Sequence, residues 1–288
     1  MGLANKKIII TGCNGQLGKE LIKQLQIYKD YEVIAADKNI LNITNFDEVD
    51  RFINNNRPEI VINCAAHTAV DVCEVEVENA YKINALGPKN LAIACGKSNS
   101  KLVQISTDYV FDGFNKVPYK EDDITSTNSI YGKSKLMGEN FVKEFCSKYY
   151  IIRTAWLYGD GKNFVKTMIE LSKIKDEINV VNDQIGTPTS TADLSKCIIE
   201  LINTQLYGTY HGTCEGECSW YEFAKKIFEV MNIDIKVNPI TTNEFKRLAP
   251  RPMYSVLDNF MLKLINKNTF RHWEDSLIEY LELIKGEK

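Results

Sequence analysis

Thr11-Gly12-Cys13-Asn14-Gly15-Gln16-Leu17-Gly18 joins a β-branched run over 6–11 to an amphipathic stretch over 15–27, and its reading decides the fold. The spacing is G-x-x-G-x-x-G. Glycines at Gly12, Gly15 and Gly18 allow a tight turn and bring backbone close to a pyrophosphate, which then rests on the positive end of the following helix. Asp37 stands at the end of the second expected strand, nineteen residues after Gly18. A carboxylate there accepts hydrogen bonds from a ribose 2′-hydroxyl. The competing reading is a tight turn followed by a surface acid. Lys38 beside Asp37 offsets its charge and tolerates a 2′-phosphate, so NADH and NADPH both stay open.

Outward from this loop, β-branched runs alternate with amphipathic ones through the first 155 residues, the pattern of βαβ units and a parallel sheet. Strands are expected over 6–11, 31–37, 60–63, 101–106 and 149–154. Helices are expected over 15–27, 45–55, 74–98 with a bend near Gly87-Pro88, and 129–146. Beyond Trp156 the alternation loosens into helices over 163–174, 220–231 and 273–284 and a short strand over 208–212 that returns to the sheet. The fold class is α/β: a Rossmann-type doubly wound parallel sheet with a smaller, intertwined C-terminal substrate-binding region. Residues 1–155 form the NAD(P)-binding part, with 187–215 returning to it, and 156–186 with 216–288 form the substrate part. Open parallel sheets bind ligands at the carboxyl ends of their strands, the edge these later segments should cover.

Composition narrows the class. With 35 Lys+Arg against 38 Asp+Glu the net charge is −3, which gives no electrostatic footprint for nucleic acid or an anionic membrane. No apolar run approaches the roughly 18–20 residues that span a bilayer. The opening MGLANKKIII lacks a signal peptide's apolar region, and Lys6 stands where myristoylation asks for Ser or Thr, so the expectation is a cytoplasmic protein. The 8 cysteines are scattered and read as free thiols. Cys214 and Cys218 form a CxxxC pair without further ligands at metal spacing, so no metal site is expected.

Tyr131-Gly132-Lys133-Ser134-Lys135 is a Y-x-x-x-K pair in a helical stretch, and a spacing of four sets both side chains on one face. An ammonium stabilises phenolate, so Lys135 is expected to lower the Tyr131 pKa from about 10 toward the range of a general acid. Taken alone, such a pair is as readily structural. Its position after the fourth strand, whose end reads Ser106-Thr107-Asp108-Tyr109, brings hydroxyls to the same edge and makes a hydride-transfer site.

Together these features resemble the extended short-chain dehydrogenase/reductases and, within them, the dTDP-4-dehydrorhamnose reductase family. The strings that carry the narrower resemblance are Asn63-Cys64-Ala65-Ala66-His67-Thr68-Ala69-Val70-Asp71, Ser106-Thr107-Asp108-Tyr109-Val110-Phe111-Asp112-Gly113 and Arg153-Thr154-Ala155-Trp156-Leu157-Tyr158. Asp183-Gln184-Ile185-Gly186-Thr187-Pro188-Thr189 and Arg251-Pro252 ahead of Ser255 extend it across the chain, and Leu41-Asn42-Ile43-Thr44 departs from the usual Leu-Asp-Ile-Thr.

The resemblance implies an NADH- or NADPH-dependent oxidoreductase that reduces the C4 keto group of a dTDP-deoxysugar, dTDP-4-dehydro-L-rhamnose. Thr107, Tyr131 and Lys135 would be catalytic, with Lys135 also on the nicotinamide ribose. Gly15, Gln16, Leu17, Asp37, Asn42, Ile43, Ala66, His67 and Thr68 would line the dinucleotide. Thr107, Asp108, Tyr131 and Trp156 would touch the nucleotide sugar. Trp156 also has a physical case as a flat apolar face for a sugar or thymine ring, against a buried core anchor. Arg251 reads as a fork for diphosphate or as a surface arginine. A homodimer is among the assemblies the resemblance allows; the magnesium-bridged form is not carried over, for want of a dense acidic cluster. Two competitors stand: a nucleotide-sugar epimerase or dehydratase on the same fold, and a non-catalytic regulatory relative, against which the intact Tyr131 and Lys135 count.

Overall fold

A computed structural model describes residues 6–286. Residues 1–5, part of the N-terminal stretch read for targeting, and 287–288, at the end of the expected substrate part, lie outside the described residues.

In chain order the first half runs β1 (Lys6–Thr11), α1 (Gln16–Leu25), β2 (Tyr31–Ala36), α2 (Phe46–Asn56), β3 (Ile60–Asn63), α3 (Val70–Cys73) and α4 (Val77–Tyr81). A π-helical turn (Lys82–Leu86) then leads into α5 (Gly87–Ser98), β4 (Lys101–Thr107), a 3₁₀ turn (Asp108–Val110), α6 (Ile130–Phe145) and β5 (Tyr149–Thr154). The second half runs β6 (Leu157–Tyr158), α7 (Phe164–Ser172), β7 (Glu177–Val181), β8 (Ile185–Gly186), β9 (Thr189–Ser190), α8 (Thr191–Ile202) and β10 (Gly208–His211). It closes with β11 (Cys218–Ser219), α9 (Trp220–Met231), β12 (Lys236–Ile240), α10 (Phe260–Leu264) and α11 (Trp273–Gly286).

The main sheet has six parallel strands in the order β10-β5-β4-β3-β1-β2. Alternation along β1 explains its two covered faces. Ile8 and Ile10 join the core beneath α1 and α8, whereas Ile9 joins the core beneath α2, α5 and α6. The first of these cores continues without a break into Phe223 and Trp273 of the C-terminal region. Strand order reverses between β1 and β3, and a ligand crevice opens at such a switch point. The later region adds the parallel pair β7–β12 and two short pairs, β6–β9 and β8–β11.

Several elements depart from the sequence reading. The helix expected over 74–98 starts at Val77 and runs through a π turn, Lys82–Leu86, that ends at the expected bend, Gly87-Pro88, where proline offers no N–H to an α ladder. Thr191–Ile202 is a helix that reading does not include, capped by Ser190, whose hydroxyl accepts from the Asp193 N–H at 3.1 Å. β4 reaches Thr107 and β2 stops at Ala36, so Thr107 lies in a strand and Asp37 in the turn beyond one. All 8 cysteines are free. Among the described residues no helix is long and apolar enough to cross a membrane.

Candidate active site

At the end of β1 the chain turns at Gly12, whose φ of +65° belongs to the left-handed region. A Cβ there would lie 2.6 Å from the Ala65 nitrogen, so only glycine lets this turn press on the chain leaving β3. A buried polar ladder ties three strand ends: Thr11 donates to Asn63 at 2.6 Å, and Asn63 donates to Gln104 at 2.7 Å. Gly15 caps α1 without a side-chain acceptor, and the first turn carries no acidic residue. The helix therefore presents free amides and its positive end, which suits a pyrophosphate.

A cavity of about 520 Å³ lies on this edge. It gathers Gly15, Gln16, Leu17 and Gly18 from the loop, Ala66 and Thr68 after β3, Thr107 and Asp108 at β4, Tyr131 and Lys135 on α6, and Trp156 after β5. Gly12, Asp37, Asn42, Ile43 and His67 are not in its wall. Asp37 Oδ1 accepts from the Asn39 and Ile40 N–H groups at 2.9 and 3.1 Å, and Oδ2 from Asn14 at 3.3 Å. Asn42 accepts from the Thr44 amide and hydroxyl, and Ile43 is buried with its carbonyl on Asn90. The His67 loop is held by Asn84, which accepts from the His67 N–H at 2.8 Å and donates to its carbonyl at 3.1 Å. Asn84 also donates to Ser134 of α6 at 3.1 Å, so the π turn links this loop to the Tyr131 helix. No motif in the sequence announces Asn84.

Ser129 caps α6 and aims Tyr131 and Lys135 inward, where both are buried. Thr107 donates to Asp108 Oδ1 at 2.8 Å, and Asp108 Oδ2 is buried without a partner. Burial raises the Asp108 carboxyl to about 6, opposed first by the Thr107 hydroxyl. Lys135 Nζ donates to the Ile105 carbonyl at 2.5 Å, and burial lowers its ammonium to about 8. The Tyr131 shift expected from the Y-x-x-x-K spacing is corrected here. Burial pushes this hydroxyl above its ordinary value, and the Lys135 ammonium is turned to Ile105.

Trp156 has positive φ and stacks on Trp220 of α9, with ring centroids 3.5 Å apart and 9° between planes. A Cβ at Gly186 would meet the same indole at 2.4 Å. One aromatic face expected for substrate is thus covered by Trp220, which itself lines the cavity and which sequence reading missed. Val70, Tyr109, Gln184 and Trp220 are shared with a second cavity of about 960 Å³, which includes Lys175, Arg247 and Arg251. Arg251 is no free surface arginine: it donates to Asp71 Oδ2 at 2.8 Å and lies 3.5 Å from the Tyr109 hydroxyl.

A switch-point cavity with a glycine-turn helix start and a buried Thr, Tyr and Lys set goes with the class that the relatives define, an oxidoreductase. A family model described as RmlD substrate binding domain matches residues 6–285, and the chain belongs to that family. A dTDP-4-dehydrorhamnose reductase structure from Clostridium acetobutylicum is 57% identical, with a TM-score of 0.96 and coverage of 97% of this chain and 99% of that one. One from Bacillus anthracis, in complex with NADP, is 48% identical at a TM-score of 0.94, covering 96% and 99%. The dTDP-4-dehydrorhamnose reductase of Aggregatibacter actinomycetemcomitans is 43% identical over 88% of this chain and 90% of its own.

Proposed function

We propose that this protein reduces the C4 keto group of dTDP-4-dehydro-L-rhamnose to give dTDP-L-rhamnose, using NADH or NADPH in the cytoplasm. The observation that carries the reading is one cavity holding the open helix start at Gly15 together with Thr107, Tyr131 and Lys135. A bound reduced nicotinamide dinucleotide supplies the hydride. Tyr131, kept neutral by burial, holds the proton that the nascent C4 alkoxide takes. Thr107 has one hydroxyl proton, now on Asp108, and turning it to the keto oxygen adds a second donor. The Lys135 ammonium steadies charge as Tyr131 gives up its proton and serves the nicotinamide ribose. Asp108 Oδ2, buried and unpartnered, is an acceptor for a sugar hydroxyl.

Gly12, Gly18, Gln16, Leu17, Asp37, Asn42, Ile43, Ala66, His67 and Thr68 belong to the dinucleotide side in this reading, through backbone and ribose contacts. Trp156, braced by Trp220, faces the nucleotide sugar, and Lys175, Arg247 and Arg251 supply cations for its diphosphate. Residues 1–155 with 187–215 form the cofactor part, and 156–186 with 216–288 the substrate part. A homodimer belongs to the same reading, and light scattering reads it. The test is cofactor oxidation with enzymatically made dTDP-4-dehydro-L-rhamnose. Loss of nicotinamide absorbance with dTDP-L-rhamnose as product is expected. No oxidation of either cofactor, with the sugar epimerised or unchanged, overturns the reading.

A further inference from the structure

Behind the Tyr131–Lys135 face of α6 lies a buried charge cluster that no step of the reduction uses. Glu139, one turn beyond Lys135, is 0% exposed, and Arg153 of β5 is 2% exposed. Arg153 grips both carboxylate oxygens, Nε to Oε1 at 3.0 Å and Nη2 to Oε2 at 2.9 Å. Ser106, the residue before Thr107, donates to Oε1 at 2.6 Å. Lys143 stands 3.7 Å from Oε2. His211 of β10 backs Arg153 at 3.4 Å, and burial with the Arg153 charge lowers its imidazole to about 3, so it is neutral. A buried ion pair is weak support for stability, because desolvation offsets its attraction. Its location is what needs a cause. The three ties join β4, β5 and α6, the elements that carry Thr107, the Trp156 turn and the Tyr131–Lys135 pair.

We infer that Glu139, clamped by Arg153 and Ser106, is a positioning residue that sets a carboxylate one helical turn from Lys135 and fixes the Thr107 strand against the Tyr131 helix. The inference rests on the proposed reduction. Around Lys135 stand Tyr131 and Glu139 on its own helix, the Ile105 carbonyl on β4 and Cys64 after β3, with Arg153 of β5 behind Glu139. Burial draws the ammonium down, and Glu139 is the largest opposing charge.

The test follows kcat and the NADH dissociation constant against pH in the wild type, Glu139→Gln and the charge-neutral double variant Glu139→Met/Arg153→Met. Glu139→Gln removes the carboxylate and leaves Arg153 charged, so the alkaline limb of both quantities moves down by about one pH unit; the double variant also loses the more distant cation and moves the limb the same way by less, while the sugar KM stays within about twofold. The double variant replaces an ion pair by apolar groups, so it remains informative if an unpaired Arg153 unfolds the single one. NADH binding needs no sugar turnover, so its limb reports on Lys135 even where the proposed reduction fails. A folded double variant with an unmoved limb, or a wild type with no alkaline limb in either quantity, overturns the inference.

Discussion

In the proposed reduction Tyr131 is the proton donor, and burial holds its proton. Removing the hydroxyl while keeping the ring therefore isolates its chemistry. Tyr131→Phe should lower kcat by about 10²–10⁴, the range for loss of a general acid, and leave the NADH dissociation constant unchanged. Near-wild-type turnover would place the proton elsewhere. Asp37 does two jobs in this account, since its Oδ1 also closes the turn onto Asn39 and Ile40. Asp37→Ala should weaken NADH more than NADPH, because a carboxylate favours a free 2′-hydroxyl and repels a 2′-phosphate. Equal weakening in fluorescence titrations would put Asp37 off the ribose. At this scale the sequence made residue types and spacings visible, and it left environments hidden. Y-x-x-x-K showed that Tyr131 and Lys135 share a helix face, but not that desolvation there outweighs a lysine turned to the Ile105 carbonyl.

Elements set how those residues meet. β1, β3, β4 and β5 were legible because fully covered strands read as short β-branched runs. The bend near Gly87-Pro88 was legible too, but its form, a π turn over Lys82–Leu86, was not, because local pattern shows a proline but not which turn absorbs it. α8 carried a legible start, Ser190 with Asp193 three residues on, in a stretch read only as returning to the sheet. Trp156 was legible as an apolar face at the end of β5, whereas its partner Trp220 is supplied by α9 from a distant part of the chain. That partnership sharpens a prediction. Trp156→Ala removes half of a stacked pair that lines the cavity, so the sugar KM should rise about tenfold, with kcat and NADH binding little changed. Thermal melting beside steady-state kinetics decides it: a large fall in Tm with an unchanged KM would make the pair a core anchor only.

Across the whole chain, the six-stranded sheet and the C-terminal region share one continuous core, so their buried titrations report on the same fold. His211 is neutral in the fold down to about 3, whereas an exposed histidine takes up a proton near 6.5. The unfolded chain binds more protons between those values, so this group's contribution to stability is lost as pH falls through the window. Asp108 works the other way. Raised to about 6 from 3.8, it binds its proton more readily in the fold and partly offsets that loss. His211→Gln should therefore flatten the fall of Tm with acid relative to the wild type, and an unchanged slope would show that His211 does not drive it. Neither shift was legible in the sequence: Asp108 was read only as a sugar contact, and His211 as part of a returning strand whose burial against Arg153 depends on β5 and β10 pairing.

In the proposed reduction a hydride reaches C4 of a keto sugar at the Thr107–Tyr131–Lys135 cavity, and the hydrogen itself can be followed. Cofactor carrying deuterium on the transferring face of the reduced nicotinamide is incubated with dTDP-4-dehydro-L-rhamnose, and the sugar product is read by NMR. Stoichiometric deuterium at C4 of dTDP-L-rhamnose is expected in the wild type, with the rate of its appearance reduced by the Tyr131→Phe loss in the variant. Product without deuterium at C4, or label that stays on the cofactor while the sugar changes, would contradict it.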